Sequence, residues 1–361
     1  MTEEYKKKIL ILFCGGSISM HKNEKTGALD IAHGADQFFK LEPRIVEIAS
    51  IATRFIDNID STDLGKPQWE KLIDAIKEEY DNYDGFVITI GTNTMAYTSA
   101  ALSFGLEQIG KPVILTGAQI PAEIISTDGR NNIVNALRVA TMDLSGVYIV
   151  FGSKIILGCR AKKISESRLD AFGTFQASDI GEISVGIKID KNAPKRNDKP
   201  IVIKNGFDDN IVSITLVPGL KADNIKLLID RGVKGIVLRA YGSGDIPHCL
   251  HETLAYAQQK EVPILITTQC PGGATAIGLN SVGLETLKLD VIQVFDMCME
   301  AMTTKLMWLL HQQIHYSEMK RLIQTNIRGE VDTTMAQILL NKEVLDINKA
   351  FWQKNQLKPQ E

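Results

Sequence analysis

The sequence predicts an α/β protein with two domains, each a mostly parallel sheet flanked by helices. Short apolar runs rich in β-branched residues alternate with segments of helical period, which is typical of a doubly wound parallel sheet. A chain of 361 residues is too long for one typical core, so two domains are expected. A polar, proline-bounded stretch at 192–200 separates two rounds of this alternation and predicts the domain linker.

The first round of alternation predicts the N-terminal domain, residues 1–191. Its strands are predicted at the apolar runs 8–12, 85–88, 113–115 and 147–151. Its helices are predicted at 69–80, 94–108 and 131–141. The first of these helices is indicated by Trp69, Leu72 and Ile76, whose spacing places them on one face.

The second round predicts a smaller C-terminal domain, residues 208–361, after a linker over 192–207. Its strands and helices are predicted at 211–217, 221–231, 235–240, 251–260 and 263–268. The apolar segment 301–310 predicts a further helix that is buried or lies at an interface. Two loops at strand ends carry Asp245 and Cys270.

The composition is typical of a globular protein without a nucleic-acid or membrane partner. Hydrophobic residues make up 44% of the chain, charged residues 23%, and the net charge is −3. No apolar stretch is long enough to span a membrane, and the N-terminus has no apolar signal region. Five widely spaced cysteines without a C-x-x-C pair favour reduced thiols and a cytoplasmic location. His248 and His251 flank Cys249, but the second ligand pair that a metal site needs is absent from the sequence.

Two glycine-containing loops carry the candidate chemistry. Gly16 and Ser17 follow the first predicted strand, and Gly91 and Thr92 follow the strand predicted at 85–88. Ligands of open α/β sheets bind at the carboxyl ends of the strands, where these loops begin. Glycines there let the backbone approach a ligand, and the two hydroxyls suggest an acyl-transfer or hydrolase site. The alternative is that both segments are ordinary tight turns between a strand and a helix.

Several spaced segments resemble the bacterial L-asparaginases, most closely the cytoplasmic type I enzymes. Residues 14–17 resemble the family's T-G-G-T nucleophile loop, and residues 91–94 resemble its G-T-D-T loop. The other similar segments are 111–119, Lys163 with 170–172, 238–242 and 268–270. Because these segments follow the family's order over most of the chain, the resemblance implies the family's two-domain fold.

The resemblance implies an amidohydrolase that converts L-asparagine to L-aspartate and ammonia through an acyl-enzyme, without a metal or organic cofactor. Ser17 matches the nucleophile, Thr92 the second hydroxyl and Lys163 the lysine of a proton relay. Ser61 matches the residue that grips the substrate's α-carboxylate, and Asn93 stands at the relay's carboxylate position. The further substrate-binding positions are Gly16, Asp60, Thr62, Gly91, Ala118 and Asp245.

The departures from the family pattern cluster at these positions. Ser17 replaces a threonine but keeps the hydroxyl, whereas Asn93 replaces the relay aspartate and carries no charge. Ile90 replaces a histidine, Ala28 stands where a mobile loop offers a tyrosine, and Asp245 replaces an asparagine that reaches a neighbouring subunit's site. Without its carboxylate partner, the relay lysine is expected to have a lowered pKa and to act as a direct general base.

These departures leave four interpretations open. The chain hydrolyses free asparagine with Lys163 as the direct base. It has lost turnover and is a catalytically silent, amino-acid-binding regulatory homologue. Asp245 supplies, across a subunit interface, the carboxylate that is missing at Asn93. The fourth interpretation is that the substrate is a different small carboxamide.

The resemblance also implies self-association and an effector site. The family forms dimers or dimers of dimers, so a dimer or a homotetramer is expected, with each site completed by the partner's second domain. The expected partners are therefore a small-molecule amide substrate and further copies of the chain. An allosteric site for asparagine near the dimer contact is also implied, and its candidate residues are Lys162, Arg239 and Cys270.

Overall fold

Contacts divide the chain into two compact units, Met1–Phe207 and Asp208–Glu361. Each unit contains a sheet with parallel strands and α-helices, so the predicted fold class is confirmed. No helix among the described residues is long and apolar enough to cross a membrane. The computed structural model describes residues 6–16, 20–22, 29–31, 42–122 and 124–340.

A large mixed sheet forms the centre of the first unit. The strands of this unit are β1 (Lys8–Phe13), β2 (Met20–Lys22), β3 (Leu29–Ile31), β4 (Ser50–Phe55), β5 (Gly85–Thr89), β6 (Pro112–Thr116), β7 (Gly146–Phe151), β8 (Lys154–Leu157), β9 (Ala161–Lys163), β10 (Phe172–Thr174), β11 (Gly181–Ile183) and β12 (Ile187–Ile189). Within the described residues the sheet has eight strands, in the order β12-β11-β8-β7-β6-β5-β1-β4. The strands from β7 to β4 run parallel, and β8, β11 and β12 extend the sheet in antiparallel pairs. Strands β9 and β10 form a separate antiparallel pair, as do β2 and β3.

The central strands of this sheet are buried on both faces. The helices of the first unit are α1 (Lys66–Glu79), α2 (Met95–Gly105) and α3 (Gly129–Thr141). Ile9 and Ile11 of β1 share one core cluster with Ala136 of α3. Leu10 and Leu12 point to the opposite face, because side chains alternate along a strand, and they are buried as well. Burial on both faces explains why the strand runs are continuously apolar instead of alternating.

The largest differences from the predicted helix boundaries are at the start of α1 and the end of α2. Helix α1 begins at Lys66 instead of Trp69, because Pro67 suits a first helical turn and the Gln68 side chain accepts the Gly65 N–H at 3.2 Å. Helix α2 ends at Gly105 instead of residue 108, because Gln108 leaves the helix to form a bridge with Val202. Capping bonds and a distant partner therefore decide both boundaries.

The segment 192–207, expected to be a linker, packs along the first unit. The Arg196 guanidinium donates to the backbone carbonyls of Met142 and Ala140, both at 2.6 Å. Phe207 is buried, and its ring lies edge-on to Trp69 with 5.4 Å between ring centroids. The boundary between the two units accordingly falls after Phe207.

The second unit is built on a parallel sheet. Its strands are β13 (Ile211–Thr215), β14 (Gly235–Ala240), β15 (Ile264–Thr268) and β16 (Ile292–Gln293). Its helices are α4 (Ala222–Asp230), α5 (His251–Gln259), α6 (Ser281–Thr286), α7 (Met299–His311), α8 (Tyr316–Gln324) and α9 (Thr334–Leu340). Among the described residues the four strands lie in sequence order and all pair in parallel. Ile236 and Leu238 of β14 share a core cluster with Ile225 of α4 and Leu254 of α5.

A fully buried ion pair connects helix α7 to the segment after α8. The ammonium of Lys305 pairs with the carboxylate of Glu330, and both side chains are completely buried. Lys305 Nζ also donates to the carbonyls of Ile323 at 3.0 Å and Thr325 at 2.7 Å. Glu330 accepts the backbone N–H of Ile327 at 3.1 Å. Removing either charge therefore leaves the other buried without its ionic partner.

We expect Lys305→Met to lower the free energy of unfolding by about 3–5 kcal/mol, because the carboxylate of Glu330 stays buried without its cation. Lys288→Met is the matched control, since Lys288 pairs with Glu285 on an exposed surface at 2.7 Å. The control should cost about 0–1 kcal/mol. Urea denaturation of the full chain measures both values. Equal losses in the two variants would contradict this account of the pair.

Candidate active site

The ends of three neighbouring strands lie side by side at one edge of the first sheet. The strand register pairs Phe13 of β1 with Thr89 of β5, and Thr89 with Thr116 of β6. The backbone N–H of Cys14 donates to the Thr89 carbonyl at 3.0 Å, and that of Ile90 donates to the Thr116 carbonyl at 3.1 Å. The loops that follow these strands therefore begin together, as the positions of the glycine-containing segments predict.

Glycine is required where two of these loops meet. Gly16 has a φ of +94°, and a Cβ there would lie 2.5 Å from the backbone nitrogen of Gly91. A Cβ on Gly91 would lie 2.4 Å from the Ser61 hydroxyl oxygen. Any side chain at either position would push the loops apart, because real Cβ atoms do not approach so closely. The two glycines thus let the loop after β1 approach the loop after β5, and let the loop after β5 approach Ser61.

Lys163 joins two side chains of the loop after β5. It is the last residue of β9, where it pairs with Phe172 of β10. Its Nζ donates to Thr92 Oγ1 and to Asn93 Oδ1, both at 2.9 Å. Thr92 is buried, whereas Lys163 is half-buried and Asn93 is exposed. The structure therefore brings together three of the four residues that the sequence predicts to be catalytic. These three residues, Lys163, Thr92 and Asn93, form the Lys163 cluster.

The surroundings of Lys163 shift the pKa of its amine below the ordinary value. Burial lowers the pKa of Lys163, and the negative charge of Glu166 only partly opposes this effect. No salt bridge within the described part of the chain includes Lys163. A lysine with a lowered pKa is unprotonated more often at a given pH, so its amine is available as a general base.

A short segment before α1, residues 60–62, lies against Asn93. The Asn93 side chain donates to Thr62 Oγ1 at 3.0 Å, and its backbone N–H donates to Ser61 Oγ at 3.2 Å. The Thr94 hydroxyl donates to the Ser61 carbonyl at 2.6 Å. Hydrogen bonds from the backbone and hydroxyl of Thr62 hold the pKa of Asp60 below its usual range. Asp60, Ser61 and Thr62 therefore lie beside the Lys163 cluster, and their role in binding a substrate stays a prediction.

Gln119 also contacts the cluster, a role that the sequence analysis missed. The Thr92 hydroxyl donates to Gln119 Oε1 at 3.0 Å. The Gln119 backbone N–H donates to the carboxylate of Asp128 at 3.0 Å, and Asp128 also accepts from Asn132 Nδ2 at 3.0 Å. Asn132 in turn donates to the carbonyl of Gly117 at 2.9 Å. Gln119 belongs to the segment 111–119 that resembles the family, but no local pattern signals its contact with Thr92, which lies 27 residues away along the chain.

The remaining predicted site residues lie in several places. Ser17 and Ala28 lie outside the residues that the structure describes. Ala118 is buried in the loop after β6, next to Gln119. Asp245 belongs to the second unit, where one carboxylate oxygen accepts from Asn280 at 2.9 Å. Its other oxygen is buried without a hydrogen-bond partner among the described residues.

The three effector-site candidates are divided between the units. Lys162 lies on β9 in the first unit, with its ammonium 5.4 Å from the centre of the Phe175 ring. Arg239 lies on β14 in the second unit, and Cys270 follows β15 and is exposed. An effector site therefore stays a prediction.

Cys14 begins the loop after β1, and burial makes its thiol unreactive. The residue is fully buried, and desolvation raises the pKa of the thiol to about 12. A thiol with so high a pKa carries almost no thiolate at neutral pH. Hydroxyls beside Lys163 are thus the better candidates for nucleophilic chemistry.

Two family models together match most of the chain. The model described as "Asparaginase, N-terminal" matches residues 8–195. The model described as "Glutaminase/Asparaginase C-terminal domain" matches residues 210–323. The two matches fall on the first and second units, respectively.

Individual relatives extend the similarity over almost the full chain. An L-asparaginase from Thermococcus kodakarensis is 35% identical over 90% of this chain and 99% of the relative. One component of the glutamyl-tRNA(Gln) amidotransferase from Pyrococcus abyssi is 31% identical over 90% of this chain and 76% of the relative. The crystal structure of L-asparaginase I from Vibrio cholerae matches with a TM-score of 0.82 and 31% identity, covering 91% and 99% of the two chains.

Proposed function

The chain belongs to the asparaginase family of amidohydrolases, and we propose that it hydrolyses L-asparagine to L-aspartate and ammonia through an acyl-enzyme on Ser17. The observation that carries this proposal is the pair of 2.9 Å hydrogen bonds from Lys163 to Thr92 and Asn93. A half-buried lysine with a lowered pKa beside a buried hydroxyl is the arrangement that activates a hydroxyl nucleophile.

The proposed reaction proceeds in two steps. Lys163, held by the hydrogen bond that it donates to Thr92 Oγ1, takes the proton of the Ser17 hydroxyl while the Ser17 oxygen bonds to the amide carbon. The C–N bond then breaks, and the nitrogen leaves as ammonia with a proton returned by Lys163. Water hydrolyses the resulting ester, which releases L-aspartate and restores Ser17. Backbone N–H groups of the glycine-containing loops are suited to stabilise the oxyanion.

The experiment for this proposal is ammonia release from a set of small carboxamides. The set contains L-asparagine, L-glutamine, and succinamate, which lacks the amine of asparagine. We expect turnover of L-asparagine at rates far above those of the uncatalysed amide. If none of these carboxamides releases ammonia at any pH, the result contradicts the proposal. It then favours the interpretation of a silent, amino-acid-binding homologue.

One observation favours a second candidate function, the hydrolysis of a different small carboxamide. The side-chain carbonyl oxygen of Asn93 accepts a hydrogen bond from Lys163, and its amide group donates one to Thr62. It thus offers no negative charge that would bind a substrate ammonium group. Preference for succinamate over L-asparagine in the same assay would support this second candidate.

We expect Asn93→Asp to raise kcat/KM for L-asparagine by about tenfold, because a carboxylate adds a charge-assisted interaction with the substrate's ammonium group. The new carboxylate also raises the pKa of Lys163, so activity should require a higher pH than in the wild type. The control is Asn82→Asp, which adds the same charge on an exposed turn. If the native substrate lacks an amine, Asn93→Asp instead lowers turnover of that substrate. Unchanged kinetics on every amide would show that Asn93 is outside the site.

A further inference from the structure

The Gln119 side chain links the Lys163 cluster to the loop that contains Glu166 and Arg168. Its Oε1 accepts the Thr92 hydroxyl at 3.0 Å. Its Nε2 donates to the backbone carbonyl of Glu166 at 2.9 Å and to that of Arg168 at 3.3 Å. The side chain is half-buried, and its backbone is anchored on Asp128. Gln119 is therefore held at three points.

The two ends of the Gln119 amide are not interchangeable. Backbone carbonyls only accept hydrogen bonds, so the Nε2 group must face Glu166 and Arg168. The Oε1 atom must then face Thr92, and it can only accept there. The orientation of the amide follows from the hydrogen-bond network itself.

This orientation determines the direction of the Thr92 hydroxyl hydrogen. A hydroxyl has a single hydrogen, and Thr92 donates that hydrogen to Gln119 Oε1. Towards Lys163, Thr92 can consequently present only lone pairs, which matches the 2.9 Å bond that Lys163 Nζ donates to Thr92. One acceptor position on Thr92 Oγ1 remains for a hydrogen from a third group.

We propose that Gln119 is a positioning residue, which fixes the direction of the Thr92 hydroxyl so that Thr92 meets Lys163 as a hydrogen-bond acceptor. The inference rests on the proposed function only in treating Thr92 and Lys163 as the catalytic pair. Without Gln119, the Thr92 hydroxyl rotates freely and can donate its hydrogen to a neutral Lys163 amine. Gln119 thereby stabilises the charged amine relative to the neutral one.

The charged groups near Lys163 are few, so its titration reports on this orientation. Glu166 is the charged group that acts on Lys163 among the described residues, and Thr92, Asn93 and Gln119 are all neutral. Replacing Gln119 by methionine or by glutamate alters this environment in opposite ways. Methionine removes the acceptor for Thr92, whereas glutamate keeps an acceptor and adds a negative charge.

The test is the pKa of Lys163 in the full chain, followed by NMR of lysine labelled with 13C at Cε. The Lys163 signal is assigned by its loss in Lys163→Arg. We expect Gln119→Met to lower the pKa of Lys163 and Gln119→Glu to raise it. The controls are Gln108→Met and Gln108→Glu, since Gln108 is another half-buried glutamine that donates to a backbone carbonyl, that of Pro200 at 2.8 Å.

The outcomes separate a positioning role from a purely structural one. Opposite shifts in the two Gln119 variants, with none in the Gln108 variants, support the proposal. The same Lys163 pKa in all five proteins, or shifts of the same sign in both Gln119 variants, overturns it. Because this readout requires no turnover, it stands apart from any failure of the amide-hydrolysis assay. In an active enzyme, the rise of kcat with pH should move to lower pH in Gln119→Met and to higher pH in Gln119→Glu, because it follows the deprotonation of Lys163.

Discussion

Replacing Lys163 with methionine is expected to lower kcat for amide hydrolysis by about 10²–10⁴-fold, the usual contribution of a positioned general base. Methionine preserves much of the length of the lysine side chain but removes the amine that bonds to Thr92 and Asn93 at 2.9 Å. Steady-state ammonia release measures the loss. Binding should change less than turnover, because the proton transfer occurs only in the transition state.

The pH dependence gives an independent check on the role of Lys163. Only the neutral amine accepts a proton, so kcat should rise with pH as Lys163 deprotonates. Because burial lowers the pKa of Lys163, this rise should be centred below the range of an ordinary lysine. The control is Lys188→Met, which removes an exposed lysine from β12. Equal activity of Lys163→Met and Lys188→Met would contradict the assignment of Lys163 as the base.

Ser17→Ala is expected to lower kcat by about 10⁵–10⁶-fold, as does the loss of the nucleophile in other hydroxyl-dependent hydrolases. Alanine has no oxygen with which to form the acyl bond, so only binding and oxyanion stabilisation remain. Ser17→Thr keeps the hydroxyl and should retain turnover. Ser19→Ala is the matched control, because it removes a serine hydroxyl two residues along the same segment.

Comparing Ser17→Ala with Thr92→Ala tests which of the two hydroxyls is the nucleophile. If Ser17→Ala keeps its activity while Thr92→Ala loses it, Thr92 is the nucleophile and Ser17 is a turn residue. Full activity in both variants would contradict a hydroxyl nucleophile at this sheet edge altogether. Ammonia release at saturating substrate distinguishes these results, provided that circular dichroism shows each variant folded.

The sheet edge was predictable because it depends on local patterns. Continuous β-branched runs before Cys14 and Ile90 indicate buried parallel strands, and parallel strands end at a common edge. The structure confirms this placement, since Phe13 lies in register with Thr89 and Thr89 with Thr116. The fold class followed from the same alternation of apolar runs and helical segments.

The composition of the site depends on long-range contacts, which local patterns do not show. Lys163 lies 71 residues from Thr92 along the chain, and strand β9, paired with β10, places it beside that loop. Its place in the site was expected only from the family resemblance. Gln119 was visible in a matching segment, but the direction of its amide depends on carbonyls of Glu166 and Arg168.

The buried ion pair of the second unit, Lys305 with Glu330, also depends on a long-range contact that local sequence patterns do not show. Lys305 falls within an apolar segment that predicts a buried or interface helix, and a lysine there would ordinarily extend to solvent. Glu330 lies 25 residues further along the chain, beyond helix α8. Nothing in the local sequence of either residue predicts that they meet in the core.

The most direct test of the central claim is detection of the acyl-enzyme by mass spectrometry. The wild-type chain is mixed with L-asparagine or the preferred carboxamide, quenched in acid within milliseconds, and digested. We expect an added acyl group, equal to the substrate minus ammonia, on the peptide that contains Ser17. The adduct should be absent from Ser17→Ala and scarce in Lys163→Met. Rapid ammonia release without any adduct, or an adduct on a peptide that lacks Ser17, would contradict the account.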